Sequence, residues 1–163
     1  YRMASLDLAA LLSETTDDLW TLARDRNVDV RTVATPDSAP CLGDRALLSR
    51  ALTNVIHNAI KFSPDGGTVQ CAIVARGAHW VVSVRDQGPG IAPEHIPRLT
   101  ERFYRVDRSR SRETGGTGLG LAIVKHVVQR HGATLDIAST PGKGSVFSVT
   151  FPANRLRGFS LPG

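Results

Sequence analysis

Aromatic residues are scarce in this 163-residue sequence, at 6% of the chain, whereas hydrophobic residues make up 41%. A core must therefore consist mainly of Leu, Val, Ile and Ala, and the content suffices for one domain of ordinary size. No apolar run approaches the roughly 18 residues that a membrane span needs. No charged segment followed by an apolar stretch indicates a signal peptide. We therefore expect a folded domain that does not itself cross a membrane.

Cysteine is also rare, because Cys41 and Cys71 are the only two in the sequence. Two cysteines are too few for a disulfide framework, which favours a reduced, cytosolic setting. They do not lie at a metal-ligand spacing such as C-x-x-C, so they predict no zinc site.

Positive charge is in excess, with a formal net charge of +5. Arginines are concentrated between positions 98 and 112. Such a run is typical of a solvated loop, a nucleic-acid surface or a site for a phosphorylated ligand. Apart from Phe103 and Tyr104 it has no interleaved aromatic residues for base stacking. Direct nucleic-acid binding therefore stays an alternative, and we do not favour it. The arginines are Arg98, Arg102, Arg105, Arg108, Arg110 and Arg112.

Hydrophobic periodicity and turn residues divide the chain into helices and strands. Helices are predicted over residues 6–24, 44–62 and 119–131, with Asp44 capping the second and Gly132 ending the third. Strands are predicted over residues 28–33, 68–75, 79–86, 134–139 and 145–151. The pattern predicts an α/β (α+β) two-layer sandwich, with a mixed sheet of about five strands and three main helices on one face.

Residues 88–118 are rich in Gly, Pro, Arg and Thr. This stretch is long for a loop in a compact domain, and long loops are often lids or binding loops. We predict a flexible lid over about residues 93–117. It would lie within one domain of residues 1–153, followed by a disordered tail of residues 154–163.

The second predicted helix combines an apolar face with a polar stripe. Asn54, Asn58 and Lys61 follow that stripe at spacings i, i+4 and i+7. Asparagine is a poor helix former, so the pair is either incidental on a solvated face or part of a site. Amide oxygens suit Mg²⁺ and lysine suits phosphate oxygens, so the functional alternative is a magnesium and phosphate site. The apolar face comprises Leu48, Ala51, Leu52, Val55, Ile56 and Ala59.

The third predicted strand ends at the carboxylate of Asp86, and two glycines, Gly88 and Gly90, follow it. A plain turn would explain them, because Asp, Gly and Pro all favour turns. Alternatively, an ionised carboxylate accepts hydrogen bonds only, and would select an amino group such as that of adenine. The glycines would let a flat ligand approach the backbone.

Glycine-rich residues 115–121 open the third predicted helix. Free backbone N–H groups and the helix dipole make such a start suitable for an anion. It is not a dinucleotide-binding fingerprint, because no strand leads directly into it. It is not a P-loop, because no Lys-Ser or Lys-Thr follows the glycines. The motif alone is a weak signal.

In this order the three motifs resemble the nucleotide-binding boxes of the Bergerat ATP-binding superfamily, which includes DNA gyrase and histidine kinases. Two details favour histidine kinases. The superfamily's ATPases carry a water-activating glutamate four residues before the magnesium asparagine, where this chain has Asn54. Residues 101–107 look like the phenylalanine box of histidine kinases, although Thr100 stands where the family often has Phe. The resemblance covers roughly residues 6–152, and residues 95–105 are similar to phosphate-regulon sensor kinases.

The resemblance implies that the site binds ATP and Mg²⁺. It assigns Mg²⁺ to Asn58 with help from Asn54, and the triphosphate to Lys61 and Arg105. Asn54, Lys61 and Arg105 are thereby implied to be catalytic. Phe62 and Ile91 are implied to flank the adenine, and Asp86 to bind its amino group. The implied nucleotide-binding residues are Asn58, Phe62, Asp86, Gly88, Gly90, Ile91, Gly116, Thr117, Gly118, Leu119, Gly120 and Leu121.

The family's phosphoacceptor histidine is followed by an acidic residue and a short Leu-Arg-x-Pro run. None of the five histidines has that context, so we expect surface or structural roles for them. His57 alone lies near the implied ATP site. The acceptor is expected on a dimerisation domain outside this chain. The histidines are His57, His79, His95, His126 and His131.

The implied reaction is transfer of the γ-phosphate of Mg²⁺-ATP to that histidine, followed by relay to an aspartate of a response regulator receiver domain. The whole kinase is expected to be a membrane-anchored homodimer, with this cytoplasmic fragment a monomer. An anti-sigma kinase or a hydrolase of the same superfamily stays an alternative, which the arginine-rich box disfavours.

Overall fold

The structure is a computed structural model that describes residues 2–102, 104 and 120–152. Within these residues the chain forms four α-helices and seven strands, with a short 3₁₀ helix at Ile96–Arg98. The helices are α1 (Leu8–Asp18), α2 (Trp20–Asp25), α3 (Arg45–Phe62) and α4 (Gly120–Arg130). The strands are β1 (Ala4–Asp7), β2 (Asp29–Ala34), β3 (Pro40–Gly43), β4 (Thr68–Arg76), β5 (His79–Asp86), β6 (Thr134–Thr140) and β7 (Gly144–Pro152).

Five strands form one mixed sheet in the order β2-β4-β5-β7-β6. Strand β2 runs parallel to β4, and the other neighbours are antiparallel. The pairs β4–β5 and β6–β7 are hairpins, and β5 pairs with β7 between them. The predicted two-layer sandwich with a mixed sheet of about five strands is confirmed.

One face of this sheet builds the core. Along β4, the buried residues Val69, Cys71 and Ile73 alternate with more exposed ones, as the period of two in a strand requires. The apolar face predicted for α3 is buried against this sheet face and against α4. Burying one such aliphatic side chain contributes roughly 1.5–3 kcal/mol, so this face fixes the orientation of α3.

The beginning of the chain differs from the prediction. Residues 4–7, partly assigned to the first helix, form β1, which pairs with β3 in a separate two-stranded sheet. The Asp7 carboxylate accepts hydrogen bonds from the backbone N–H groups of Ala9 and Ala39, at 2.9 and 2.8 Å. It therefore starts α1 at Leu8 and also fixes the segment before β3.

The first predicted helix is also interrupted. Leu19 separates α1 from α2, so the described residues contain four α-helices where three main helices were expected. The backbone N–H of Leu19 points back to Thr15 and Thr16, which closes α1 before α2 begins. Leucine periodicity continues across this break, which is why the pattern did not show it.

None of the helices in the described residues is long and apolar enough to cross a membrane. The predicted tail at residues 154–163 lies outside the described residues. The predicted lid is described for residues 93–102 and 104 only. There, Leu99 is buried, and Arg98 forms an ion pair of 3.1 Å with Glu101.

Candidate functional site

The polar stripe of α3 lies along one continuous helix. Asp44 caps that helix, because its carboxylate accepts the backbone N–H of Leu47 at 3.1 Å. Asn54, Asn58 and Lys61 are all half-buried. Their side chains are thus neither in the core nor fully in solvent. They are held in place and can still contact a ligand.

Asn54 connects this stripe to the start of α4. Its amide Nδ2 donates to the carbonyl oxygen of Gly120, at 3.4 Å. Leu121, the next residue, packs against the core and holds the first turn of α4 in place. The asparagine stripe and the first turn of α4 are therefore neighbours in space.

Asp86 ends β5 and is only 7% exposed. Its carboxylate accepts the backbone N–H of Gly88 at 2.8 Å. Burial raises the pKa of Asp86, and backbone hydrogen bonds from Gly88 and Ser145 counteract part of that effect. A buried carboxylate with spare acceptor capacity is suited to a ligand that donates a hydrogen bond.

Two glycines permit the close packing of the segment after Asp86. A Cβ atom at Gly88 would lie 2.7 Å from the carbonyl oxygen of Phe62, the last residue of α3. Gly90 has a φ of +78°, and a Cβ atom there would lie 2.2 Å from the carbonyl oxygen of Thr140. Any side chain at either position would push the segment away from α3 or from the β6–β7 hairpin.

The two apolar residues expected beside the base differ in how exposed they are. Phe62 is 41% exposed at the end of α3. Ile91 is half-buried and packs against the core. Together they give the segment around Asp86 one exposed and one anchored apolar side chain.

The β6–β7 hairpin holds this segment through contacts that the sequence did not suggest. The backbone N–H of Ile91 donates to Ser139 Oγ at 2.8 Å, and that of Gly142 donates to Pro89 O at 2.6 Å. Ser139 Oγ also lies 2.8 Å from Ser145 Oγ. Only strand register brings these residues together, so a sequence motif could not have identified them.

Several predicted site residues lie outside the described residues. They are Arg105, Gly116, Thr117, Gly118 and Leu119. The structure thus brings together the α3 stripe, the segment after β5 and the first turn of α4, and those five residues remain predictions.

Mg²⁺ is the cation that the resemblance implies. In residues 2–102, 104 and 120–152, no group of three or more His, Cys, Asp or Glu side chains is placed to hold a metal ion. The amides of Asn54 and Asn58 offer hard oxygen donors instead. Asn54 contacts Gly120 through its Nδ2 atom, so the Oδ1 atom of Asn54 is available to a metal ion. Because Mg²⁺ usually takes one or two protein oxygens together with substrate phosphates, these residues fit it.

His131 and His95 have local hydrogen-bond partners. His131 is 1% exposed and bonded on both ring nitrogens, to Asp44 and Val127, which is a structural role. His95 contacts the hydroxyl of Tyr104, whose ring is also covered by the guanidinium of Arg98. His57 lies on α3 beside the polar stripe, and burial, Lys61 and Arg26 lower its pKa.

Comparison with known proteins agrees with the fold described above. The family described as histidine kinase-, DNA gyrase B- and HSP90-like ATPases matches residues 43–155. The phosphate regulon sensor protein PhoR of Pseudomonas aeruginosa is 49% identical over 144 residues, which are 87% of this chain and 32% of that protein. The sensor-like histidine kinase SenX3 of Mycobacterium tuberculosis is 45% identical over 151 residues, 93% of this chain and 37% of that protein.

The chain therefore spans about a third of the length of these two relatives. Among solved structures, the mycobacterial sensor histidine kinase MprB superposes with a TM-score of 0.77 at 32% identity. That match covers 93% of this chain and 97% of the MprB chain. The likeness thus extends over nearly the whole of a solved histidine kinase chain.

Proposed function

The chain belongs to the family of histidine kinase-, DNA gyrase B- and HSP90-like ATPases, and from this premise we propose that it is the catalytic domain of a two-component sensor kinase. It binds ATP and donates the γ-phosphate to a histidine on a dimerisation domain. The observation that carries the proposal is the convergence on α3. The stripe bearing Asn54 touches Gly120, while the end of the same helix touches Gly88.

The proposed roles follow from the chemistry of each residue. Asp86 accepts the adenine amine, and Phe62 and Ile91 flank the base. Bound Mg²⁺ would neutralise phosphate charge, and the amide oxygens of Asn58 and Asn54 would hold it. A histidine nitrogen is already a nucleophile, so these residues need only bind ATP and hold it in position.

Charge on the phosphates is the second requirement. Lys61 is half-buried at the end of the polar stripe and supplies a cation on the same helix as the asparagines. Arg105 is proposed to add a second cation, and Gly116, Thr117, Gly118 and Leu119 to shape the phosphate end together with Gly120 and Leu121. Residues 93–117 are proposed as the lid, within a domain of residues 1–153.

Transfer is favoured over hydrolysis by the residue at position 54. An asparagine amide cannot take a proton from water at neutral pH, and a general base typically contributes about 10²–10⁴-fold to such a reaction. We therefore propose that the chain holds ATP for a histidine acceptor and hydrolyses it slowly.

The finer assignment is a kinase of the phosphate-regulon type. The 49% identity to PhoR supports this assignment. The identity to SenX3 is nearly as high, at 45%. We propose that the acceptor relays phosphate to the receiver domain of a response regulator. The domain would face the cytoplasm in a membrane-anchored homodimer, and alone it would be a monomer.

Radiolabelled ATP tests the proposal, with this chain alone, a histidine-bearing dimerisation domain alone, and both together. Acid-labile, base-stable label is expected only on the dimerisation domain, and only in the mixture. Transfer should be slow, because the two domains are separate chains in this assay. They lack the tether that normally supplies a local concentration on the order of millimolar. The Asp86→Asn variant of this chain is the matched control and should reduce labelling.

Three outcomes would contradict the proposal. Label on this chain alone would place an acceptor here and direct attention to His57. Acid-stable label would favour the anti-sigma kinase alternative. Rapid release of phosphate by the chain alone would show that a hydrolytic base exists despite Asn54.

A further inference from the structure

Three polar residues form a row across the end of the main sheet. Strand register places Asp86 of β5 beside Ser145 of β7, and Ser145 beside Ser139 of β6. The row lies on the core face, because Val84 and Phe147, two positions away on their strands, belong to the hydrophobic core. Asp86 is 7% exposed and Ser145 is 5% exposed, so this end of the core carries two buried polar side chains.

Ser139 has all of its hydrogen-bonding capacity in use. Its hydroxyl accepts the backbone N–H of Ile91 at 2.8 Å and donates to the carbonyl oxygen of Gly144 at 3.0 Å. It also lies 2.8 Å from the hydroxyl of Ser145. A serine hydroxyl has one proton and two lone pairs. The Ser139 proton can go to the Gly144 carbonyl oxygen when Ser145 donates in the contact between the two hydroxyls.

This arrangement connects both ends of the segment that follows β5. The Ser139 hydroxyl fixes Ile91 directly. Its contact with Ser145 reaches the residue that pairs with Asp86 across β5 and β7. Ser139 lies on β6, so it joins the segment to a strand that does not itself pair with β5.

We propose that Ser139 is a positioning residue for the nucleotide base, acting through Ile91 and Ser145 to hold residues 86–91 against the β6–β7 hairpin. The proposal rests on the proposed function, because the base-binding roles of Asp86 and Ile91 are part of it. Ser139→Ala deletes one hydroxyl and leaves the strand backbone in place. Loss of a hydrogen bond of this kind corresponds to roughly a 2- to 12-fold weaker affinity for ATP.

The test compares ATP with inosine triphosphate, which carries a carbonyl where adenine carries its amine. The wild-type chain is expected to prefer ATP, because the Asp86 carboxylate cannot receive a hydrogen bond from a carbonyl. Ser139→Ala should weaken ATP binding more than inosine triphosphate binding, because both bases contact Ile91 but only adenine donates its amine to Asp86. Ser139→Thr keeps the hydroxyl and should restore the preference. Ser148→Ala, which removes a half-buried hydroxyl from β7, is the matched control and should bind both nucleotides like wild type.

A second measurement is independent of nucleotide. Amide hydrogen exchange at Ile91 in the empty chain should be faster in Ser139→Ala than in Ser148→Ala, since only the former loses the acceptor of that N–H. Equal exchange rates in the two variants would overturn the proposal. So would equal losses of affinity for both nucleotides, which would indicate general destabilisation.

The two proposals fail in different ways. If the wild-type chain binds ATP and Ser139→Ala binds it equally well, the role of Ser139 is overturned while the proposed function stands. If the wild-type chain binds neither nucleotide, the proposed function is overturned, and the base-positioning role of Ser139 with it.

Discussion

The Nε2 atom of His131 accepts the backbone N–H of Asp44 at 2.9 Å. On the other side of the ring, Nδ1 lies 2.7 Å from the carbonyl oxygen of Val127 and must donate to it. The imidazole therefore carries a proton on Nδ1. It joins the residue that caps α3 to the end of α4, and both helices contribute to the candidate site.

Replacing this histidine should destabilise the fold. His131→Phe fills similar space but leaves the buried Asp44 N–H without an acceptor, which costs about 1–3 kcal/mol. We expect the free energy of unfolding, measured in urea, to fall by that amount. His126→Phe changes an exposed position of α4 and is the matched control. Equal stability of the two variants would show that the Asp44 contact contributes nothing.

Replacing Asp86 with asparagine should weaken ATP binding without lowering the stability of the fold. Asp86→Asn replaces the charged acceptor of the adenine amine, so ATP affinity should fall roughly 10- to 150-fold. Because burial raises the pKa of Asp86, its contribution to stability is greatest at acid pH and is lost as pH rises through the raised pKa.

The neutral amide avoids that loss, so the Tm of Asp86→Asn at pH 7.5 should equal or exceed that of wild type. Titration of a fluorescent ATP analogue and thermal unfolding measure the two effects. The exposed carboxylate of β6 offers a control, since Asp136→Asn should change neither quantity. ATP binding by Asp86→Asn at wild-type strength would rule out the adenine assignment.

Asn58→Ala should abolish the enhancement of ATP binding by Mg²⁺, because it deletes the amide oxygen assigned to the metal. Asn54→Ala should reduce binding less, since that amide is also engaged with Gly120. Isothermal titration of each variant with ATP, with and without Mg²⁺, measures the difference. An equal Mg²⁺ effect in wild type and Asn58→Ala would remove this helix as the metal site.

His57 should make the fold less stable in acid. Burial, Lys61 and Arg26 lower its pKa below the ordinary value of 6.5. Below pH 6.5 the unfolded chain therefore binds more protons than the folded chain at this residue, and stability is lost as pH falls towards the lowered pKa. His57→Gln should reduce the drop in Tm between pH 8 and pH 5.5, whereas His126→Gln should not. Identical drops in wild type and His57→Gln would contradict the assigned cause.

The parts of the fold predicted correctly depend on local patterns. Helix α3 has a full apolar face and a capping aspartate at Asp44, and both hairpins join strands that are adjacent in sequence. The β1–β3 pair was missed because each strand has four residues and its partner lies beyond α1, α2 and β2. Four residues are too few to show a period.

The residues of the candidate site also fall into two groups, those in local sequence motifs and those brought together only by the fold. The residues that we assign to the ligand lie in short motifs, so Asn58 and Asp86 could be proposed from the sequence alone. Ser139 was missed because its role depends on the register of three strands and on a loop that returns to them. No local pattern encodes that register.

The main sheet also has a consequence for how the domain assembles. Its two hairpins, β4–β5 and β6–β7, close locally, and the β5–β7 pairing joins them into one sheet. Long-range pairing requires closure of the intervening chain, so it is expected to form later than either hairpin. The Asp86 and Ser145 pair lies at the end of this junction. A ligand bound there would therefore stabilise only chains in which both halves of the sheet have already met, and would slow their separation more than it speeds their joining.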